Sequence, residues 1–301
     1  MIGTCLPYAA VRAVVLDSNG QPALVDVPVP SGPGVRVRVR ACGLCGSDVE
    51  KLGRASAGAV LGHEIEGELD DGTRVTVMHR VPCEECGRCR AGHESTCHEF
   101  ALARIEPGGF AEELRATHWL ALPSSVHDGQ GIWVEPLACV IRGAARVPRG
   151  RVLVAGCGAV GQLWVQVLRS RGDEVVAADP RPERLARARE LGARDDADTV
   201  DAAVVTAPAG LNDALDRMAP GGTVLVFAAP PELVPTALDA VYRNELSIVG
   251  SRSATTASFR EAVELLPTLE MPAVVRLPLE RFAEGVELYR RGDALKVVFT
   301  P

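Results

Sequence analysis

Six residues, Gly156-Cys157-Gly158-Ala159-Val160-Gly161, restrict this chain more than any others. Before them stands Arg151-Val152-Leu153-Val154-Ala155, a short apolar run that reads as a buried strand. After them Gln162 to Arg171 reads as an apolar helix, and Asp179 closes a second strand, Glu174 to Ala178. A glycine triplet between strand and helix, with an acid ending the next strand, is the arrangement that cradles a dinucleotide. The first glycine makes the tight turn, the second admits the pyrophosphate, and the third lets helix and sheet pack closely. The helix N-terminus offers free N–H groups and a positive dipole end to the phosphates. Gly156, Gly158, Val160, Gly161, Asp179 and Arg184 are the expected cofactor-binding residues. Asp179 would accept hydrogen bonds from the adenosine ribose and repel the extra phosphate of NADP. Arg181 and Arg184 follow the acid without replacing it, so NAD is expected over NADP.

This segment opens an alternating region. A helix is expected from about Pro182 to Leu191, with buried strands at Ala202 to Thr206, Thr223 to Ala228 and Leu246 to Val249. Strands alternating with helices predict a doubly wound parallel sheet, an α/β Rossmann domain. The first third reads differently. Val35-Arg36-Val37-Arg38-Val39-Arg40 alternates with period two, a half-buried strand with its valines inward. Short strands with Gly and Pro punctuation continue to about Pro123, which predicts a β-rich domain. The tail reads as helices at Phe259 to Leu266 and Leu279 to Arg291 and a strand at Leu295 to Phe299. The expected division is a catalytic domain at 1–136, completed by 252–301, around a coenzyme domain at 137–251. With 301 residues, two domains suit the length.

A 47% hydrophobic, 24% charged composition excludes a largely disordered chain. A net charge of -7 argues against nucleic acid as a partner. No apolar run approaches the roughly 18–20 residues that span a bilayer. Without a secretory pattern at the N-terminus, the expected location is the cytoplasm.

Nine cysteines in such a compartment need a reason other than disulfides. Cys83-x2-Cys86-x2-Cys89-x7-Cys97 places four thiolates within reach of one tetrahedral ion, the preference of Zn²⁺. Four protein ligands close the shell, so this site is read as structural. His93 and His98 beside it are read as loop residues, and His79, His118 and His127 as satisfied structural histidines. A second constellation joins Cys45-Gly46-Ser47-Asp48, Gly62-His63-Glu64 and Glu135-Pro136-Leu137-Ala138. A thiolate, an imidazole and a carboxylate are what a catalytic zinc takes when one position stays open. Cys42 is read as packing. Cys157, in the glycine loop, is read as a place where alkylation would block the cofactor.

Taken in order with Gly108-Gly109-Phe110-Ala111-Glu112 and Ala294-Leu295-Lys296-Val297-Val298, these segments resemble the zinc-dependent medium-chain alcohol/polyol dehydrogenases. The likeness covers essentially the whole chain and lies closest to the sorbitol and threonine dehydrogenase branch. It implies a GroES-like catalytic domain with a zinc lobe. By resemblance Cys45, His63 and Glu135 are catalytic-zinc ligands, and Glu64 is a direct or exchanging ligand. Ser47 takes the place of the proton-relaying hydroxyl, and Asp48 that of the acid orienting His63. Three places depart from the pattern. The stretch from Cys45 to His63 is short, Glu68 to Val77 has lost much of a β-hairpin, and Glu50 stands where a relay histidine is common.

The resemblance implies two Zn²⁺ per chain, NAD, and hydride transfer between a secondary alcohol (a polyol, cyclitol or sugar-like compound) and its ketone. A small-molecule substrate is expected, with no nucleic acid or membrane partner. The Leu246 to Val249 strand, exposed at a sheet edge, implies a homodimer or homotetramer. Two rivals are a biosynthetic ketone or aldehyde reductase using the same site, and a non-catalytic NAD-sensing zinc protein.

Overall fold

The computed structural model describes residues 10–99, 104–196, 198–228 and 236–301. Cys5 lies outside them. The chain forms two compact units. One runs to Glu135 and takes in Thr255–Thr268 and Ala273–Pro301; the other holds Pro136–Ala254 and Leu269–Pro272.

In the first unit β1 (Ala10–Leu16) pairs antiparallel with β2 (Pro22–Pro28). The larger sheet begins with β3 (Val35–Gly43), β4 (Glu64–Glu68), β5 (Arg74–Val77), β6 (Ile105–Glu106), β7 (Glu113–Ala116) and β8 (Trp119–Ala121). In β3 the period-two pattern sets Val37 and Val39 inside and the arginines outside. Arg36 is ion-paired with Glu113 and Arg38 with Glu68, which makes the outer face a solvated one. Glu68 to Val77 still closes a hairpin: β4 and β5 pair from Glu66↔Thr76 to Glu68↔Arg74. The core gathers Val37, Ile65, Phe110, Leu114, Val297 and Phe299, each fully buried.

The second unit carries β9 (Arg151–Ala155), β10 (Glu174–Ala178), β11 (Val200–Val205), β12 (Met218–Val226) and β13 (Ser247–Gly250). They form one parallel sheet in the order β10-β9-β11-β12-β13. The order reverses between β9 and β11, so the carboxyl end of β9 opens on the crevice where α/β sheets take ligands. Beyond β10 lies one isolated parallel bridge, Val176↔Arg194. The helix after β9 spans Ala159–Ser170, starting earlier than the sequence predicts because Ala159, Val160 and Gly161 already form its first turn.

The chain then returns to the first unit as β14 (Val275–Pro278) and β15 (Val297–Thr300). They complete the sheet in the order β14-β15-β3-β4-β5-β8, with β7 joining β3 and β6. The expected single helix from Leu279 is a 3-10 turn, Leu279–Arg281, followed by an α-helix, Phe282–Arg291. It stops at Gly292, whose φ of 72° is a left-handed cap that glycine adopts without strain.

Candidate active site and metal centres

Cys83, Cys86, Cys89 and Cys97 lie together, their sulfurs within 4.8 Å of one another. Sulfur–sulfur distances are 3.5 Å for Cys86–Cys89, 3.9 Å for Cys86–Cys97 and 3.5 Å for Cys97–Cys83. A tetrahedron of Zn–S bonds has edges of about 3.8 Å. Backbone N–H groups of Cys83 and Glu99 donate to the sulfur of Cys97, and that of Cys86 to Cys83. Donation of this kind favours thiolates, and the Cys86 thiol is pushed down to about 6, chiefly by the N–H of Cys89. The four residues fit a closed zinc site. His93 and His98 are exposed beside it.

The second constellation is assembled by the start of a short helix, Gly46–Lys51, and the start of β4. Cys45 caps that helix, and Asp48 in its first turn accepts the N–H of Cys45 at 3.1 Å and that of Gly62 at 3.4 Å. The remaining contact of Asp48 is to His63, with Oδ1 3.2 Å from Nδ1. Burial opposes the Asp48 charge, but His63 and the Cys45 N–H hold its carboxyl below the usual carboxylate range. Burial likewise opposes a charged His63, and Asp48 outweighs it, raising that imidazole well above its ordinary value. Asp48 therefore fixes the ring of His63 from behind. Ser47 Oγ donates to the Cys45 sulfur at 3.4 Å. Glu50 is exposed.

Donor atoms of Cys45, His63 and Glu64 fall within 4.8 Å of one another, and so do those of His63, His79 and Glu135. His63 belongs to both groups. Glu64 is buried against Lys296, whose ammonium also donates to the Leu44 carbonyl at 3.1 Å and lies 5.4 Å from the centre of the Trp133 ring. Burial alone would lower the Lys296 ammonium; the charges of Glu64 and Cys45 override it and raise it. One pocket of about 240 Å³ opens here, lined in part by Lys51, Leu61, His63, His79 and Pro107.

His79 corrects the sequence reading. It is no satisfied structural histidine: its Nδ1 is buried without a hydrogen-bond partner, 4.0 Å from Oε1 of Glu135. Its ring centre lies 4.6 Å from that of His63. Burial, then the charge of His63, push this imidazole down to about 2. Nothing in its spacing from other ligands marked it, since the hairpin alone brings it here. Lys296 did leave a signal: it is one of only two lysines and stands in the apolar run Ala294-Leu295-Lys296-Val297-Val298, where a buried ammonium needs a partner.

In the second unit Gly156 has φ of 103°, and a side chain at Gly161 would put its Cβ 2.0 Å from the Gly156 carbonyl oxygen. Both positions require glycine. A Cβ at Gly158 would meet only Arg184, at 3.9 Å, so this side of the loop is open to a ligand. Val160 lies in the first turn of the helix, half-buried. Asp179 accepts the N–H of Cys157 at 2.6 Å and that of Arg181 at 2.9 Å, one on each oxygen. Each oxygen keeps a lone pair for a ribose hydroxyl. The residues fit a dinucleotide. Cys157 is fully buried and its thiol is pushed up to about 12 by burial and by Asp179, which argues against ready alkylation there. Cys42 is buried at 1% exposure.

Residues 32–128 match the family model described as the alcohol dehydrogenase GroES-like domain. D-altritol 5-dehydrogenase of Agrobacterium fabrum is 31% identical over 300 residues, covering 85% of this chain and 88% of that one. The chain belongs to the zinc-containing medium-chain dehydrogenases. Another relative of this dehydrogenase is L-galactonate-5-dehydrogenase of Escherichia coli, 27% identical over 304 residues, covering 87% of this chain and 89% of that protein. Among solved structures, alcohol dehydrogenase TADH from a Thermus species superposes with a TM-score of 0.76 at 26% identity, covering 96% and 99% of the two chains. This medium-chain dehydrogenase is thus an oxidoreductase, with a GroES-like unit and a parallel α/β unit.

Proposed function

We propose that this dehydrogenase uses NAD to interconvert a secondary alcohol of the polyol, cyclitol or sugar-like kind and its ketone. The observation that carries the reading is the meeting of two donor groups on His63, beside a pocket. The relatives named for altritol and galactonate support a polyhydroxylated substrate.

Cys45, His63 and Glu135 would hold the catalytic zinc, and the four-cysteine group the structural one. Bound zinc supplies Lewis acidity toward an alcohol or carbonyl oxygen, and the nicotinamide supplies the hydride chemistry. The chain's own residues do the rest. Asp48 holds His63 in one orientation through Nδ1. Ser47 Oγ, beside the Cys45 sulfur, would take the hydroxyl proton of the substrate and pass it outward. Glu50, where a relay histidine is common, is exposed at the helix surface. Leu61, Ile105 and Pro107 add apolar groups to a pocket whose lining also carries Asp48, Lys51, His63 and His79. Asp179 selects NAD, with Gly156, Gly158, Val160, Gly161 and Arg184 around the pyrophosphate.

Ile248 in the edge strand β13, and Leu238 and Tyr242 in the helix Leu238–Arg243 that precedes it in the chain, are exposed apolar side chains. They support a homodimer or homotetramer joined at that edge. Among the described residues no helix is long and apolar enough to cross a membrane.

The test is a panel of polyols, cyclitols and aldonates with NAD and with NADP, read at the reduced-cofactor absorbance, beside a zinc count. Two zincs per chain and NAD-linked turnover of a polyol are expected. Two zincs with no turnover across the panel would overturn the substrate class, and a preference for NADP would overturn the reading of Asp179.

A further inference from the structure

We propose that His79 is a ligand of the catalytic metal in the resting enzyme, binding through Nδ1 at the position that Glu64 would otherwise take. This rests on the zinc site proposed above and goes beyond the ligand set that the sequence pattern implies.

Three observations carry it. A buried ring nitrogen with no hydrogen-bond partner, such as Nδ1 of His79, is unfavourable unless something supplies the missing contact. Nδ1 of His79 faces Glu135 Oε1 at 4.0 Å, and its donor atom shares one 4.8 Å group with those of His63 and Glu135. Ligand atoms around one tetrahedral zinc stand roughly 3.3–3.8 Å apart, so a small rotation closes the group on an ion. Glu64, meanwhile, is engaged. Lys296 neutralises it and is itself held by the Leu44 carbonyl and the face of Trp133, so releasing Glu64 would strand a buried ammonium.

Charge favours the same choice. Zn²⁺ with the thiolate of Cys45 and the carboxylate of Glu135 is neutral. A neutral imidazole keeps it so, whereas Glu64 would add a negative charge and leave Lys296 without its own partner. The imidazole turns about two side-chain bonds, and its ring lines the pocket, so it can leave the ion when substrate arrives.

The experiment replaces the catalytic zinc with Co²⁺ in the full chain and reads the visible ligand-field absorption, with the rate of metal loss to a chelator. His79→Gln should shift and weaken the visible bands and speed metal loss at least tenfold, while the four-cysteine zinc stays bound as a control for folding. Glu64→Gln should leave the visible bands in place. An unchanged spectrum and loss rate in His79→Gln, or a changed spectrum in Glu64→Gln alone, overturns the assignment. Should His79→Gln not fold, His79→Cys decides: a new sulfur-to-cobalt charge-transfer band supports ligation, and its absence refutes it. A wild-type protein that binds metal only at the four cysteines would remove the catalytic site itself, an outcome distinct from failure at His79.

Discussion

Lys296 neutralises Glu64 inside the first unit, where the two side chains are 5% and 2% exposed. A buried pair of this kind contributes little over an apolar pair, but breaking it leaves a charge with no partner. Lys296→Met should therefore destabilise the protein by about 3–5 kcal/mol. The double change Lys296→Met with Glu64→Gln should recover most of that loss. Denaturant midpoints measure both; a cost below about 1 kcal/mol for the single change would contradict the pairing.

Asp179→Ala should raise the KM for NAD and lift the NADP-to-NAD ratio of kcat/KM by at least tenfold. The change removes the carboxylate proposed to repel the extra phosphate, and with it the proposed acceptors of the ribose hydroxyls, each bond contributing about 1–1.5 kcal/mol. Steady-state kinetics with both cofactors checks this. A ratio that does not move means that Asp179 does not face the ribose.

Cys89→Ser should lower stability by about 3 kcal/mol or more, because metal binding at a closed site is folding energy. The variant should lose one zinc per chain. Thermal melts beside metal analysis decide the matter: one fewer zinc with an unchanged melt would show that the lobe is not structural.

Gly161→Ala should weaken NAD and cost about 1–3 kcal/mol, since the new methyl would meet the Gly156 carbonyl oxygen at 2.0 Å. Gly158→Ala has room and should be folded normally while binding NAD poorly. Melting curves and cofactor titrations separate the two outcomes. Equal melting for both variants would sink this account of the loop.

Glu112 gives a pH test away from the metals. Its carboxylate accepts the Arg12 N–H at 2.7 Å and Nε at 2.8 Å. The N–H bond chiefly holds its pKa below the ordinary 4.5. A depressed carboxyl contributes stability that is full above the ordinary value and is lost as pH falls through the folded one. Glu112→Gln should thus melt lower than wild type at pH 7, and the gap should close as pH falls below 4.5. A gap that widens in acid reverses the sign and refutes the argument.

Much of the fold was legible because its signals are local. Arg151–Ala155 and Glu174–Ala178 are strands at the residues the sequence marks, bounded by the glycine loop and by Asp179. The thiolate group was equally plain, since all four ligands lie within one short window. His79 was not legible, because its place in the site depends on how β4 and β5 pair and on where the chain runs after Val77. Pairing register is a long-range property that no single histidine announces. The boundary at Leu279 was misread for a smaller reason: an apolar pattern does not tell a 3-10 turn from the helix that follows it.

The interleaving of the units bears on how the protein is made. The Leu44 carbonyl and the ammonium it receives are 252 positions apart in the chain. Glu64 thus leaves the ribosome long before its counter-ion exists, and the whole parallel-sheet unit is synthesised in between. That unit is nearly continuous in the chain. The first unit must wait with β3 lacking its β15 neighbour and an acid lacking its base. During that interval the four cysteines, which lie within one short window, need no segment from beyond the parallel-sheet unit to come together.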